Sequence, residues 1–508
     1  MAPSLTKDAP GNTGGRTFFG HPRGLATLFM TEMWERFSFY GLRALLVVYL
    51  VAGGPDAGEG GAGHQGGGLA MDLATATAIY SVYNAMVYLL TMPGGWFGDR
   101  LWGPRKTVTV GAGIIMLGHL TLAVPGEGSF FVGLACVATG SGLLKANISK
   151  MVGDLYNGPD DPRRDGGFTV FYMGINAGSF LAPFAIGTVG QTVNWHLGFG
   201  MAAVGMGLGL IQFLVGSRHL DPRSSQIPSP LSAQEKSAVL RKALLWLIVA
   251  VLFYGVVVAT GTFTLNWAMI PLTVLGLLIP LGMLVRIKRD KDLTRVEQGR
   301  MTGYIWFFAA AAIFWMIYDQ GASTVQAFGD AKTTTQVLGW HFPSTWFQSI
   351  NPLFIILLAP LFAALWLSLN RRGKEPSTTV KFAFSLVVMG LSFYVFVIPM
   401  GMASGGTKVS PMWLVLIFLL HTIAELCLSP VGLSVTTKLA PAKYASQLMG
   451  VWFLAVTAGD SITGLLSIGG ADLSTTGVVA VEATLSALAG FAIYMYRRQI
   501  AATMDEVQ

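Results

Sequence analysis

The 508-residue chain is 53% hydrophobic and 12% charged, a balance that excludes a soluble globular protein. Its net charge of +7 comes without an aromatic-interleaved basic patch, so the basic residues point to anionic lipid head groups and membrane topology, with no nucleic-acid partner expected. A hydrocarbon core about 30 Å thick takes about 20 apolar residues per helix, and runs of that length recur about fourteen times.

The N-terminal segment 1–23 is polar and lacks an apolar h-region, so it is read as a retained segment and not a cleaved signal. Six spans follow, near 24–52, 73–98, 106–124, 129–156, 166–189 and 194–217, and form an N-terminal bundle over 24–217. The glycine-rich stretch at 52–68 has neither the preceding strand nor the following lysine of a phosphate-binding loop, and reads as a flexible linker. Residues 218–300 hold two basic linkers and an inserted pair of spans, near 240–259 and 265–287. Their middles carry no ionisable residue, which assigns them a structural or lipid-facing role. Six more spans, near 301–327, 343–369, 377–400, 410–437, 442–468 and 475–497, make a C-terminal bundle over 301–498, followed by a tail at 499–508.

Basic residues then set the expected orientation, because cytoplasmic loops retain Lys and Arg. Arg100, Arg105 and Lys106, Arg163 and Arg164, Arg286 to Arg300, Arg371 to Lys374, and Arg497 and Arg498 all fall on alternate loops. The other loops carry little beyond Lys332 and Lys408. A multi-pass protein of the cell membrane with both termini cytoplasmic is the expectation. Cys136 and Cys427 both fall within spans, where they serve as small buried hydrophobes, and no metal or disulfide framework is expected.

Ionisable residues inside spans are costly and mark function. Glu32, Glu35, Arg36, Tyr40 and Arg43 follow steps of three, one, four and three, which gathers them on one stripe of the first helix. That stripe must face a partner helix or a wet cavity. Lys145, Asp319, Glu425 and Asp460 stand singly in other spans. Permanent pairing that only fixes helix packing does not explain a five-residue stripe plus acids and a base from several further helices. Asp99 and Asp460 are the exceptions, read as structural, and no motif recruits His421 or Glu482.

Several motifs carry a family resemblance. "GGWFGDRLWGPRK" resembles the loop signature of the major facilitator superfamily. "EMWERFSFYG" resembles the ExxERFxYYG signature of the proton-coupled oligopeptide transporter family, with Phe39 in place of the first tyrosine. "FYMGINAGSFLAP" resembles FYxxINxGSL, with Phe180 in place of leucine. "GSGLLKANIS", "FWMIYDQGAS", "WFQSINPLFIILLAP" and "ELCLSPVGLS" resemble the family's fourth, seventh, eighth and tenth core helices, so the likeness spans nearly the whole chain.

The resemblance implies an all-α fold of two six-helix bundles plus a two-helix insertion, and a proton-coupled symporter of di- and tripeptides. It implies a proton-responsive cluster of Glu32, Glu35, Arg36 and Lys145. Arg43 and Lys145 would attract the peptide carboxylate, Glu425 would hold its ammonium, and Asn176 and Asn351 would hydrogen-bond its backbone or carboxylate. Tyr40, Tyr88 and Tyr172 would line the pocket, Trp315, Ser429 and Trp452 would shape side-chain subsites, and Arg43 would pair with Asp319 in an outer gate. No cofactor is expected beyond the coupling proton.

The residues support this division independently. A zwitterionic peptide has opposite charges at its two ends, which matches cations in one half of a cavity and an acid in the other. Asparagine satisfies both amide donors and acceptors, and aromatic rings accept varied side chains. Protonation of Glu32 or Glu35 is expected to free Arg36 and Lys145 from internal pairs. Glycines and prolines in the "GSGLLKANIS", "GINAGSFLAP" and "LSPVG" stretches either let inner helices bend or serve ordinary packing. Two alternatives stay open: an importer of another small solute, such as nitrate, a metabolite or a peptide-like drug, and a membrane-embedded enzyme or sensor.

Overall fold

The computed structural model describes residues 17–55, 67–157 and 161–504. Most of the glycine-rich linker, the first sixteen residues and the last four lie outside the described residues. Fourteen long helices make up the described chain: α1 (Arg23–Val51), α2 (Leu73–Trp102), α3 (Pro104–Leu122), α4 (Glu127–Asp154), α5 (Arg164–Thr192), α6 (Trp195–Gly216), α7 (Ala233–Ala259), α8 (Asn266–Lys288), α9 (Arg295–Lys332), α10 (Ser344–Arg371), α11 (Thr378–Ala403), α12 (Met412–Leu439), α13 (Ala445–Ile468) and α14 (Thr476–Met495). Strands β1 (Gln336–Val337) and β2 (Trp340–His341) form an antiparallel hairpin between α9 and α10, with Val337 opposite Trp340.

Twelve of the fourteen are long and apolar enough by composition to cross a membrane, so this is an integral membrane protein. The other two are α1, which carries Glu32, Glu35, Arg36 and Arg43, and α3, which has Arg105 and Lys106 in its first turn and His119 near its end. An even number of crossings puts the start of α1 and the end of α14 on one side, together with the basic loops, here the basic end.

The helix starts follow local chemistry. Asp72 caps α2 by accepting from Thr75 N at 2.9 Å, and Asn194 caps α6 by accepting from His196 N at 2.9 Å. α7 begins seven residues before the apolar run that reveals it, and α9 six. In both, a capping box, Ser232 with Glu235 and Thr294 with Glu297, nucleates a polar first turn that hydropathy passes over.

Buried apolar side chains gather in two cores, one built mainly from α1 to α6 and one from α9 to α14. Packing repeats between them: α3 lies against α4 and α6 as α11 lies against α12 and α14. α2 and α13 meet at the seam and α8 packs over both, whereas α7 buries little besides Val257. At the basic end the insertion is tied to both sides. Arg100 pairs with Glu235 at 3.0 Å, while Lys443 pairs with Asp290 and Asp292 at 2.7 Å each. Lys443 and the Tyr444 hydroxyl hold the Asp290 carboxyl well below the usual carboxylate range.

The opposite end is sealed by bonds between the cores. Gln191 donates to Asp330 and Ser344 at 2.7 Å each, Trp346 to Thr188 at 2.8 Å, and Ser349 to the Phe180 carbonyl at 2.9 Å. Along the basic-end half of α5, Asp165, Thr169 and Tyr172 form an exposed stripe, and along that of α12 so do Ser434, Thr437 and Lys438. Polar stripes in membrane-spanning helices line water, so the bundle is open at the basic end and closed at the other.

Candidate functional site

The α1 stripe turns inward, as its periodicity requires. Arg36 Nε lies 3.0 Å from Glu32 Oε1, and Arg36 Nη2 lies 2.5 Å from Glu35 Oε2. From α4, the Ser141 hydroxyl donates to Glu35 Oε1 at 3.2 Å. All three charged groups are buried, Glu35 completely. One guanidinium therefore serves two carboxylates, which leaves the cluster one positive charge short.

Lys145 of α4 does not supply that charge by direct contact. Its ammonium is buried without a hydrogen-bond partner and rests on two aromatic faces, 4.2 Å from the ring centre of Tyr88 and 4.6 Å from that of Phe39. Cation–π attraction holds a charge weakly compared with a buried carboxylate. The expectation that Lys145 starts in an internal ion pair does not describe this conformation: Arg36 is paired, and Lys145 is free to meet an incoming anion.

About two turns beyond Arg36 on α1, Arg43 Nη2 donates to Asp319 Oδ1 at 2.8 Å, with Tyr40 and Tyr80 flanking its guanidinium at 5.7 and 5.9 Å. α9 breaks there: residues Asp319–Ala322 form a tight 3₁₀ turn, and Ser323 leaves helical geometry at φ −119° and ψ −89°. The break aims Asp319 across the interface toward α1.

The facing wall is neutral and acidic. Tyr318 donates its hydroxyl to Glu425 Oε2 at 2.9 Å, Asn351 Nδ2 donates to the same oxygen at 3.2 Å, and Asn351 also reaches Thr422 Oγ1 at 3.0 Å. Glu425 thus receives neutral donors only, and no cation pairs with it among the described residues. A small polar cavity between the two walls is lined by Tyr40, Arg43, Tyr318, Gln348, Asn351 and His421.

The remaining candidates spread around this core. Asn176 is buried and donates to the Tyr172 carbonyl at 3.0 Å, which leaves its amide oxygen available, and Tyr172 stands half-exposed at the cleft. Trp315 packs edge-on to Tyr318 at 4.9 Å. The Ser429 hydroxyl is buried without a partner. Trp452 is 5% exposed and packs against Gly432, where a Cβ would strike its ring, so it lies within the second core at the site's margin.

Several contributors escaped sequence reasoning. Tyr318 stands beside Asp319 in a quoted motif, and His421 lies one helical turn before Glu425, hence on the same face. Ser141 lies one turn before Lys145. Asn84, one turn before Tyr88, donates to Asp460 Oδ2 at 2.8 Å. Among the described residues no group of three His, Cys, Asp or Glu side chains comes together as a metal site.

Comparison with known proteins places these features in context. A family model described as "POT family" matches residues 105–475. The "Uncharacterized transporter YclF" of Bacillus subtilis (strain 168) is 46% identical over 461 residues, 90% of this chain and 89% of that protein. The "Di-/tripeptide transporter" of Lactococcus lactis subsp. cremoris is 39% identical over 505 residues, 98% of this chain and 99% of that one. A crystal structure of a single-residue mutant of "peptide transporter POT" in complex with alafosfalin superposes with a TM-score of 0.88 at 42% identity, covering 96% of this chain and 97% of that one.

Proposed function

This chain belongs to the POT family of transporters, and we propose that it imports di- and tripeptides together with protons by alternating access across the cell membrane. Family membership makes it a transporter and sets aside the membrane-enzyme and sensor alternatives. The observation that carries the reading is the split of charge between the two walls that flank the small central cavity. A free ammonium, Lys145, and the Arg43 guanidinium stand on one wall, and Glu425, without a cation of its own, stands on the other. A peptide's carboxylate and ammonium complete both sides, and Asn176 and Asn351 meet the amide between them. A metabolite or drug with an amine and an acid at similar spacing would meet the same groups.

Positive loops retained inside the cell make the basic end cytoplasmic, which puts both termini inside and makes this the inward-open conformation. In the cycle we propose, a proton on Glu32 or Glu35 releases part of Arg36. That release allows capture of the substrate carboxylate by Arg43 and Lys145 and rearrangement of the helices, and proton loss inside reverses both affinities. One charge crossing ~100 mV is worth about 2.3 kcal/mol, or roughly fifty-fold in concentration ratio before any pH gradient is counted. That is ample to concentrate a nutrient.

The test is uptake into proteoliposomes loaded at neutral pH and diluted into acidic medium. Labelled dialanine should accumulate above its external concentration, and unlabelled tripeptides should compete while nitrate should not. Accumulation unaffected by peptides but abolished by nitrate or another solute would replace peptides as the substrate, and accumulation insensitive to a protonophore would remove proton coupling.

A further inference from the structure

The break in α9 interrupts the backbone ladder at membrane depth, and side chains take up carbonyls that it frees. Gln348 donates to the Gly321 carbonyl at 2.8 Å, while the Met316 carbonyl accepts from Thr463 at 3.2 Å and from the side-chain amide of Gln320 at 3.1 Å. Gln320 follows Asp319 directly in the tight turn and is 1% exposed. Its amide nitrogen also donates to Glu482 Oε1 of α14 at 2.9 Å, and its amide oxygen accepts from Thr324 at 3.3 Å. Both amide hydrogens are therefore used, one within α9 and one on α14. A carbonyl can only accept, so Met316 fixes which way round the amide lies.

Glu482 is 3% exposed, receives this one neutral donor, and has Oε2 buried without a partner. The elements packed against it bring no cation to it among the described residues. α14 holds no other charged residue, and Arg497 and Arg498 follow it at the basic end. α11 offers Lys381 in its first turn, bonded to Glu375 at 2.5 Å, and Tyr394, whose hydroxyl meets Thr484 at 2.7 Å. α9 has Arg295, Glu297 and Arg300 near its start and Asp330 and Lys332 in its last turn. Between them stands only Asp319, bonded to Arg43, with Tyr318 beside it on Glu425. An ionised Glu482 would be a lone charge among neutral groups, whereas the neutral acid offers Gln320 the same acceptor and leaves one hydroxyl unpaired.

We infer that Glu482 is a positioning residue: as a neutral carboxylic acid it pins the Gln320 amide, and with it the turn that aims Asp319 at Arg43. Its part in transport rests on the proposed cycle, in which the seam at this end closes and opens. Gln320 and Glu482 lie on α9 and α14 of the same half, so they stay together through that motion and Glu482 carries no proton across. Removing the acceptor leaves an amide hydrogen buried without a partner, and the turn shifts until it finds one. Asp319 moves with the turn. Its bond to Arg43 joins the two halves only while the seam is closed, so the sealed conformation alone loses stability.

The experiment uses the full-length, peptide-free protein in lipid nanodiscs, with Cys136 and Cys427 replaced by serine and spin labels at Val193→Cys and Leu338→Cys. Both label positions are exposed, one on each side of the seam. Pulsed electron resonance should show Glu482→Leu lowering the sealed-to-open ratio about threefold or more, with about a hundredfold as the limit if the Arg43–Asp319 bond is lost outright. Glu482→Gln, which keeps the acceptor and cannot ionise, should hold the parent's ratio. Infrared difference spectra at neutral pH should show a protonated carboxyl C=O band in the parent that Glu482→Gln lacks. Should Glu482→Leu fail to reach the membrane, Gln320→Met, which removes the donor instead, should lower the ratio in the same way. A purely architectural contact would reduce yield and leave the ratio of the folded protein unchanged. That result, a ratio for Glu482→Gln as low as for Glu482→Leu, or absence of the band would overturn the inference. No peptide or gradient enters these readouts, so a failed peptide-uptake assay would leave them standing, and their failure would leave peptide uptake intact.

Discussion

α1 and α7 are helices of similar length, 29 and 27 residues, and opposite in almost every other respect. α1 carries four charged side chains in its membrane stretch and is buried along nearly all of its length. α7 is the most apolar span of the chain and buries only Val257, leaving Leu240 and Trp246 each 70% exposed. In water the apolar helix would be the core and the charged one the surface. In a bilayer the relation inverts, because lipid is as apolar as leucine and only protein or a wet cavity can satisfy a charge. Apolar content marks what touches lipid, and scattered charge marks what does the work.

That contrast is broken first by removing charge from α1. Glu35→Gln keeps the side chain's shape and its Ser141 contact but removes a titrating carboxylate and one partner of Arg36. Uphill, pH-driven uptake should be abolished while exchange of internal for external peptide persists, since exchange needs no net proton movement. Undiminished accumulation would show that the proton is carried elsewhere.

The next largest effect falls on the wall facing α1. Glu425→Gln removes the charge expected to hold a peptide's ammonium and keeps the Tyr318 and Asn351 contacts possible. A charge-assisted hydrogen bond is worth about 1.5–3 kcal/mol, so KM for dialanine should rise about ten- to hundredfold. N-acetylated dialanine, lacking the ammonium, should be transported no worse than by the parent. Equal losses for both peptides would remove Glu425 from ammonium recognition.

The same contrast explains what the sequence could and could not reveal. Twelve of the spans were legible because each is a long apolar run, and the first turns of α7 and α9 were not, because capping chemistry there is polar. The Glu32 to Arg43 stripe was legible through its 3.6-residue period within one helix. Asn84, Ser141, Tyr318 and His421 were not: a single neutral polar residue in a span is common packing, and what gives each its role is a neighbour on another helix. Asn84 and Asp460 lie 376 positions apart, and no local pattern announces their meeting. Asp460, read as a lone structural acid, finds its hydrogen-bond partner on another helix of the opposite core.

A charge placed on α7 tests the other side of the comparison. Leu247, near the middle of the helix, is 59% exposed. Leu247→Arg puts a guanidinium against acyl chains at a cost of about 2.5–3.5 kcal/mol for insertion, where Arg36 on α1 is accommodated by two carboxylates. Membrane-inserted yield should fall several-fold, while the peptide KM of the protein that does insert should stay within about twofold of the parent, as the cavity is untouched. A selective loss of peptide affinity would mean that α7 contributes to the site.

The smallest effect belongs to Trp246→Ala. On a soluble protein, truncating a tryptophan is among the most damaging substitutions because it opens a cavity worth about 3–5 kcal/mol. Trp452, 5% exposed in the second core, should behave that way. Trp246 meets lipid over most of its surface, so acyl chains flow into the space and no cavity forms. Thermal unfolding in nanodiscs should shift by no more than about 1 °C, and uptake should stay within about 1.5-fold of the parent. A large shift would show that the exposed face of α7 is covered in the membrane by a partner, and the helix that looks most like bilayer filler would be an interface.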